Sequence, residues 1–169
     1  MEKDMEYWDL YDENRKPLGR THVRGEPFAE GEFYVSCEIW IKDSKGNFLI
    51  TKRHPNKKTG NLWEFVGGGT LAGETTLHSA VRELKEETGI SVDESELQLL
   101  TTYSHKNYFL DIFILKKDIP LESVILEPDE VIDVKWASDG LIQQMIKNEE
   151  FVYSVEVRYG MYGKIARDF

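Results

Sequence analysis

The stretch Gly67–Ile90, GGGTLAGETTLHSAVRELKEETGI, limits what the chain can fold into more than any other. Its second half is patterned as a helix. Leu77, Ala80, Val81 and Leu84 recur at spacings of three and four and form one apolar stripe. Thr75 or Thr76 can cap its start, and Gly89 stops it after Thr88. Glu83, Glu86 and Glu87, at i, i+3 and i+4, project together from one face. Three carboxylates so close repel one another and raise one another's pKa, so a fold that keeps them must bring positive charge to them. Carboxylate oxygens suit Mg²⁺ or Mn²⁺. A glycine-rich turn just ahead of the helix lets a backbone carbonyl approach the same ion, because no side chain stands in the way.

Around this stretch the pattern is mostly β. Tyr7–Asp12 and Leu18–Arg24 read as two strands about a turn at residues 13–17, and Phe33–Lys42 is a long apolar strand. Asp43–Asn47 supplies turn chemistry, with Phe48–Arg53 as the hairpin partner. His54–Asn61 is a polar, basic loop, and Leu62–Val66 is a short strand running into the glycine triplet. Leu97–Ser104, Tyr108–Lys116 and Val131–Trp136 follow as strands. Gly140–Asn148 is a second helix with Leu141, Ile142, Met145 and Ile146 facing inward, and a short final helix is expected from about Val155. The fold class is therefore α+β, with helices flanking a sheet, in one domain spanning 1–169.

Composition excludes several functions. The net charge of −10 argues against nucleic-acid polymers as partners, since these are bound by neutralising phosphates with a basic face. It is compatible with a small phosphorylated ligand held by a metal or a local basic cluster. The one cysteine, Cys37, rules out an internal disulfide and a cysteine zinc site, and in the run FYVSCEIWI it reads as a small buried thiol. The acidic start lacks the features of a secretory signal, and no apolar run approaches a membrane span, so a cytoplasmic location is expected.

Residues 68–90 resemble the Nudix box, G-x5-E-x7-R-E-U-x-E-E-x-G-U with U aliphatic, and match it at every specified position. Chance agreement at those positions is expected on the order of once in 10⁹ starts. A run such as Glu-Leu-Lys-Glu-Glu is usually a solvated helix face; Gly68, Glu74, Arg82 and Gly89 at fixed spacing reverse that reading. The resemblance implies a Nudix fold, an α/β/α sandwich with a mixed sheet, here with an N-terminal β-hairpin extension over residues 1–30. It also implies Mg²⁺-dependent cleavage of a diphosphate linkage in a small molecule, a nucleoside diphosphate derivative, by attack of a metal-activated water. Glu83, Glu86, Glu87 and the Gly68 carbonyl are then the metal ligands, with one of the glutamates as general base. Arg82 and Glu74 are the ion pair that shapes the loop.

Outside the box, Arg53, Lys57 and Lys58 are candidates to neutralise substrate phosphates. Trp63 and Phe65 alternate with Glu64 and Val66, so one face of that strand is core, and Trp63 is also a candidate to stack on a base or bury a prenyl chain. Glu127, Asp129 and Glu130 are candidates for a further ligand or base. The segment Tyr103–Tyr108 is a hairpin turn placed to rim the site, and the N-terminal hairpin is a candidate surface for a homodimer contact.

The stretches YWDLYDENRKPLGRTHVRGE and IWIKDSKGNFLITKRHPNKKTGNLW resemble the isopentenyl diphosphate isomerase-like branch of the superfamily. Isomerases of that branch carry a cysteine shortly after the tryptophan and a glutamate on a later strand. Here those places read Gly67 or Gly68, and NYFLDIF. The isomerase's metal-binding histidines also lack counterparts. Isomerisation is thus the alternative that these residues disfavour, beside a non-catalytic phosphometabolite-binding module.

Overall fold

A computed structural model describes residues 5–169; residues 1–4, the start of the expected extension, lie outside it. The strands are β1 (Tyr7–Tyr11), β2 (Pro17–Val23), β3 (Tyr34–Lys42), β4 (Phe48–Arg53), β5 (Trp63–Glu64), β6 (Val66–Gly69), β7 (Leu97–His105), β8 (Tyr108–Lys116) and β9 (Val131–Ala137). The helices are α1 (Thr76–Thr88), α2 (Asp139–Lys147) and α3 (Tyr153–Asp168). Short 3₁₀ turns at Glu94–Glu96 and Leu121–Ser123 were not legible from periodicity.

The apolar run at β3 organises the sheet. It pairs in parallel with β8 from Tyr34↔Tyr108 to Lys42↔Lys116, and antiparallel with β6 along its other edge. It meets β4 at Lys42↔Phe48, where the two strands part, and β4 lies between β5 and β9. β7 completes the far side against β8.

Both faces are covered, which explains why β3 reads as nearly continuous apolar sequence instead of alternating. Cys37, Ile39 and Ile41 pack with Leu84 and Ala80 of α1, whereas Trp40 packs with Phe48, Phe65 and the inner faces of α2 and α3. The result is the expected α/β/α sandwich with a mixed sheet. No helix among the described residues is long and apolar enough to cross a membrane.

Beyond shifts of a residue at element ends, the structure departs from the sequence reading at three places. The strand expected at Leu62–Val66 is two strands: β5 joins β4, and after Phe65 the chain crosses to β3, so the glycine triplet is itself β6. Close approach makes this possible at Gly67, where a Cβ would collide with the Cys37 carbonyl. Leu141 does not face inward; it is exposed, and Ile142 and Met145 carry the buried side of α2. α3 starts two residues before Val155, at Tyr153. It is pinned by Arg158, whose guanidinium pairs with Glu38 of β3 in the interior, where Glu38 also accepts the Trp40 indole N–H at 2.7 Å.

β1 and β2 form a separate two-stranded ribbon, in register from Tyr7↔Val23 to Asp9↔Thr21. Arg15 in its turn has a φ of 61° and reaches Asp111 of β8 in a two-pronged contact of 2.8 and 2.6 Å. Asp111 also accepts the hydroxyls of Thr76, the first residue of α1, and Thr102 of β7 at 2.7 Å. Burial pushes the Asp111 carboxyl up, but Arg15 and the two hydroxyls outweigh it and hold the group below the usual aspartate range. Stability from this group is present above the unfolded pKa and is lost as pH falls through the depressed folded value. Asp111→Asn keeps the shape but replaces an acceptor facing Arg15 with a donor. It should cost about 2 kcal/mol at neutral pH in denaturant titration, and the penalty should shrink toward acid pH. An equal penalty at every pH would show that the charge on Asp111 is not what ties the ribbon to the sheet.

Candidate active site

The site is set by the entry to α1. Thr75 caps the helix by accepting the His78 backbone N–H at 3.1 Å, and Gly89 ends it with a left-handed φ of 71°. Ahead of the cap, Glu74 turns back on its own loop. Its carboxylate accepts the Leu71 N–H at 3.1 Å, the Ser79 hydroxyl at 2.6 Å, and Arg82 through Nε at 2.9 Å and Nη2 at 3.0 Å. Arg82 reaches on to the Gly69 carbonyl at 3.1 Å, Glu83 at 2.8 Å and Glu86 at 3.2 Å. One guanidinium therefore locks the glycine strand, the loop and the helix in one arrangement.

Glu83 and Glu87 lie inward of this lock. Burial raises the Glu83 carboxyl above its usual range, Arg82 opposes that, and the nearby charges of Glu86 and Glu6 add to it. Glu87 is raised well above its usual range by burial first, then by the charges of Glu64, Glu83 and Glu130. Among the described residues its buried Oε2 has no hydrogen-bond partner. Glu64 is itself pushed up to about 7 by burial, although Arg53 donates to it at 2.7 Å. Gly68 is seated against Glu83, and a Cβ there would lie 2.5 Å from the Glu83 carboxyl carbon. Cys37 is buried beneath, with its thiol directed at the Gly68 carbonyl at 3.6 Å; burial pushes this thiol far up, which keeps it protonated.

A cleft of about 730 Å³ opens over these groups, a size suited to a small-molecule ligand. Glu83, Glu86, Glu87, Gly68 and Arg82 line it, as do Arg53, Lys57, Glu127, Asp129 and Glu130. Lys57 pairs with Glu130, and the Glu127 N–H donates to the Glu87 carbonyl at 3.1 Å, fastening this acidic loop to the end of α1.

A NUDIX domain model matches residues 34–150. The chain belongs to the Nudix hydrolase family. It is 35% identical over 150 residues to an uncharacterized Nudix hydrolase of Listeria monocytogenes, across 88% of this chain and 89% of that one. Its fold is shared by DR0079 of Deinococcus radiodurans, at a TM-score of 0.73 and 22% identity over 87% of this chain and 92% of that one. The fold is also shared by a bifunctional NMN adenylyltransferase/ADP ribose pyrophosphatase of Francisella tularensis solved with AMP and manganese. There the TM-score is 0.67 and the identity 17%, over 83% of this chain and 43% of that one.

Two expectations need correction. Trp63 does not reach the cleft of this Nudix domain; it is 6% exposed, packs in the core beside Phe65, and presents its ring face to Lys135 at 4.2 Å. Its backbone on β5 is paired with β4 on one side and bridged to Phe151 on the other, which holds the indole in the core. The Tyr103–Tyr108 hairpin does not rim the site either, because it packs toward Tyr34, Tyr162 and Arg158 on the α3 side. Glu64, Glu6 and Arg24 were missed. Glu64 had a local signal, a lone acid between Trp63 and Phe65 four residues before Gly68. Glu6 and Arg24 had none, being some sixty and forty residues from the box.

Among the described residues no three acidic, histidine or cysteine side chains converge into a finished metal cage. The donor set fits Mg²⁺ nonetheless, since that ion takes one or two protein carboxylates and completes its shell with water and substrate phosphate. A buried Glu87 oxygen with no partner among the described residues, set among carboxylates, fits such a cation.

Proposed function

We propose that the chain hydrolyses the diphosphate linkage of a nucleoside diphosphate derivative with Mg²⁺, or Mn²⁺, held by Glu83, Glu87, Glu86 and the Gly68 carbonyl. The observation that carries this reading is Glu87: a buried carboxylate with an orphaned oxygen, facing Glu83, Glu64 and Glu130. When bound, the divalent ion supplies positive charge to the phosphates and to the attacking water. The protein's own residues do the rest. Arg82 and Glu74 hold the carboxylates in position. Glu86, 58% exposed, and Glu127 and Asp129 of the acidic loop are the carboxylates of the cleft most open to solvent, and with Glu130 they are the candidates for general base. Arg53 and Lys57 line the cleft where substrate phosphates would lie. The nucleotide assignment is supported by the Francisella protein of the same fold, an ADP ribose pyrophosphatase complexed with AMP and manganese. Against isomerisation, the cysteine position counted from Trp63 falls at Gly67 or Gly68, and Asp111 of NYFLDIF is tied by Arg15 and two hydroxyls.

The test is incubation with Mg²⁺ and a panel of nucleoside diphosphates, nucleotide sugars, ADP-ribose, dinucleotides and prenyl diphosphates, following released phosphate or mononucleotide. Hydrolysis of at least one nucleotide compound, abolished by chelation, is expected. Rearrangement of isopentenyl diphosphate without hydrolysis would restore the isomerase. Ligand binding with no product from any compound would make this a binding module.

A further inference from the structure

The β1–β2 ribbon lies outside the matched span of residues 34–150, yet it is fastened to the box loop itself. The Tyr7 carbonyl accepts the Ala72 N–H at 2.8 Å, and the Asp9 carboxylate accepts the Gly73 N–H at 2.8 Å. Between them Trp8 stacks on Tyr34 at 4.7 Å and presses its indole on Gly69, where a Cβ would come within 2.7 Å of the ring. This docking carries the open end of the ribbon over the cleft, where Glu6 and Arg24 join its lining. The two are paired by a backbone hydrogen bond of 2.9 Å and an ion pair of 2.6 Å.

Seven carboxylates and four Lys or Arg side chains line the cleft, so positive charge for a polyanionic substrate is scarce. Three of the four cations are held and shielded. Arg82 is 18% exposed with five acceptor contacts, Arg53 is 22% exposed on Glu64 and the Lys58 carbonyl, and Lys57 is 21% exposed on Glu130. Arg24 is 51% exposed, and among the described residues its ionic partner is Glu6, itself 39% exposed. A solvent-exposed ion pair of this kind is worth about 0–1 kcal/mol, little enough for a phosphate to displace it. The guanidinium is steadied over the Trp8 ring at 5.9 Å, so losing Glu6 would not release it.

We propose that Arg24 is a substrate-binding residue of this site: its guanidinium exchanges Glu6 for a phosphate oxygen of the bound nucleoside diphosphate derivative. It acts from the Gly69 side of the carboxylates, whereas Arg53 and Lys57 act from the Glu64 and Glu130 side. The ribbon is then a working wall of the active site. The inference rests on the hydrolase reading for the identity of the ligand.

Binding of α,β-methylene-ADP in the presence of Mg²⁺, measured by calorimetry, tests it apart from turnover. Arg24→Gln should weaken binding about tenfold or more, as expected for loss of a charge-assisted hydrogen bond, and should raise KM for the best panel substrate far more than it lowers kcat. Arg20→Gln is the control: it lies on the same ribbon, is 56% exposed and pairs with Glu32 away from the cleft, so it should bind as the native chain does. Glu6→Gln should bind at least as tightly as native, and melting curves of all three should match. Native-like binding by folded Arg24→Gln would overturn the proposal while leaving the hydrolase standing. Arg24-dependent binding by a chain that hydrolyses nothing on the panel would support the proposal and remove the hydrolase. If the native chain does not bind the analogue, the proposal falls whatever the panel shows.

Discussion

Glu87→Gln is expected to lower kcat/KM for the best diphosphate substrate by about 10²-fold or more, while the metal-free protein melts at the same temperature as native or higher. The two halves of this expectation have one cause. In the metal-free fold Glu87 is buried among the charges of Glu64, Glu83 and Glu130, and one of its oxygens has no partner. Unfolded, its carboxyl ionises near the ordinary value of 4.5; folded, it holds its proton to a higher pH. Between those values the folded chain binds more protons than the unfolded one, so stability falls as pH rises through that window. Glu64, pushed up to about 7, acts in the same sense. Glutamine removes the charge and keeps the shape, so the downward slope of melting temperature as pH rises above the ordinary carboxylate range should flatten in the variant. Mg²⁺ should raise the melting temperature of the native chain and do little for the variant, because a ligand stabilises only the state that binds it. A variant that keeps native activity, or a native chain indifferent to Mg²⁺ in melting, would remove Glu87 from the metal site.

How much of this was legible beforehand depended on the range over which each determinant acts. The box could be read because its parts are local: the cap at Thr75, the stop at Gly89, and the carboxylate face at i, i+3 and i+4 follow from helix geometry alone. The paired strands β3 and β8 could be read because both are nearly continuous apolar runs, as a strand covered on two faces tends to be, with Glu38 and Asp111 as the buried exceptions. The crossing at Phe65 could not, since it depends on Gly67 meeting the Cys37 carbonyl thirty residues upstream. Trp63 was misplaced for the same reason: an aromatic beside a glycine-rich turn serves a ligand or the core according to which strand its backbone joins, and β5 joins β4. Arg24 carries no sequence signal; its place over the cleft comes from the seating of Trp8 on Gly69 and of Tyr7 and Asp9 on the box loop.

The adjacent glycines of β6 separate fold from function in a way that sequence does not. A Cβ on Gly67 would strike the backbone of β3 at the Cys37 carbonyl and Glu38 Cα, neither of which can yield without breaking the β3–β6 pairing. Gly67→Ala is therefore a folding defect. The atoms nearest to a Cβ on Gly68 all belong to the Glu83 carboxylate, with its carboxyl carbon 2.5 Å away, and a side chain can rotate. Rotation takes Glu83 off Arg82, which donates to it at 2.8 Å, and away from the Gly68 carbonyl beside which it is proposed to bind the cation. Gly68→Ala should thus stay folded, with a melting temperature close to native. Its Mg²⁺ requirement should rise and its kcat/KM fall by roughly 10- to 100-fold, the range seen when groups orienting a metal ligand are disturbed. Excess Mg²⁺ should restore part of the activity, because the carboxylate is displaced and not removed. In Glu83→Gln, which lacks the charge, excess metal should restore much less. If Gly68→Ala keeps the native Mg²⁺ dependence, then the Glu83 position seen against Gly68 is not the one that holds the metal, and the cation must be held by Glu87 and Glu86 with the acidic loop at Glu127–Glu130.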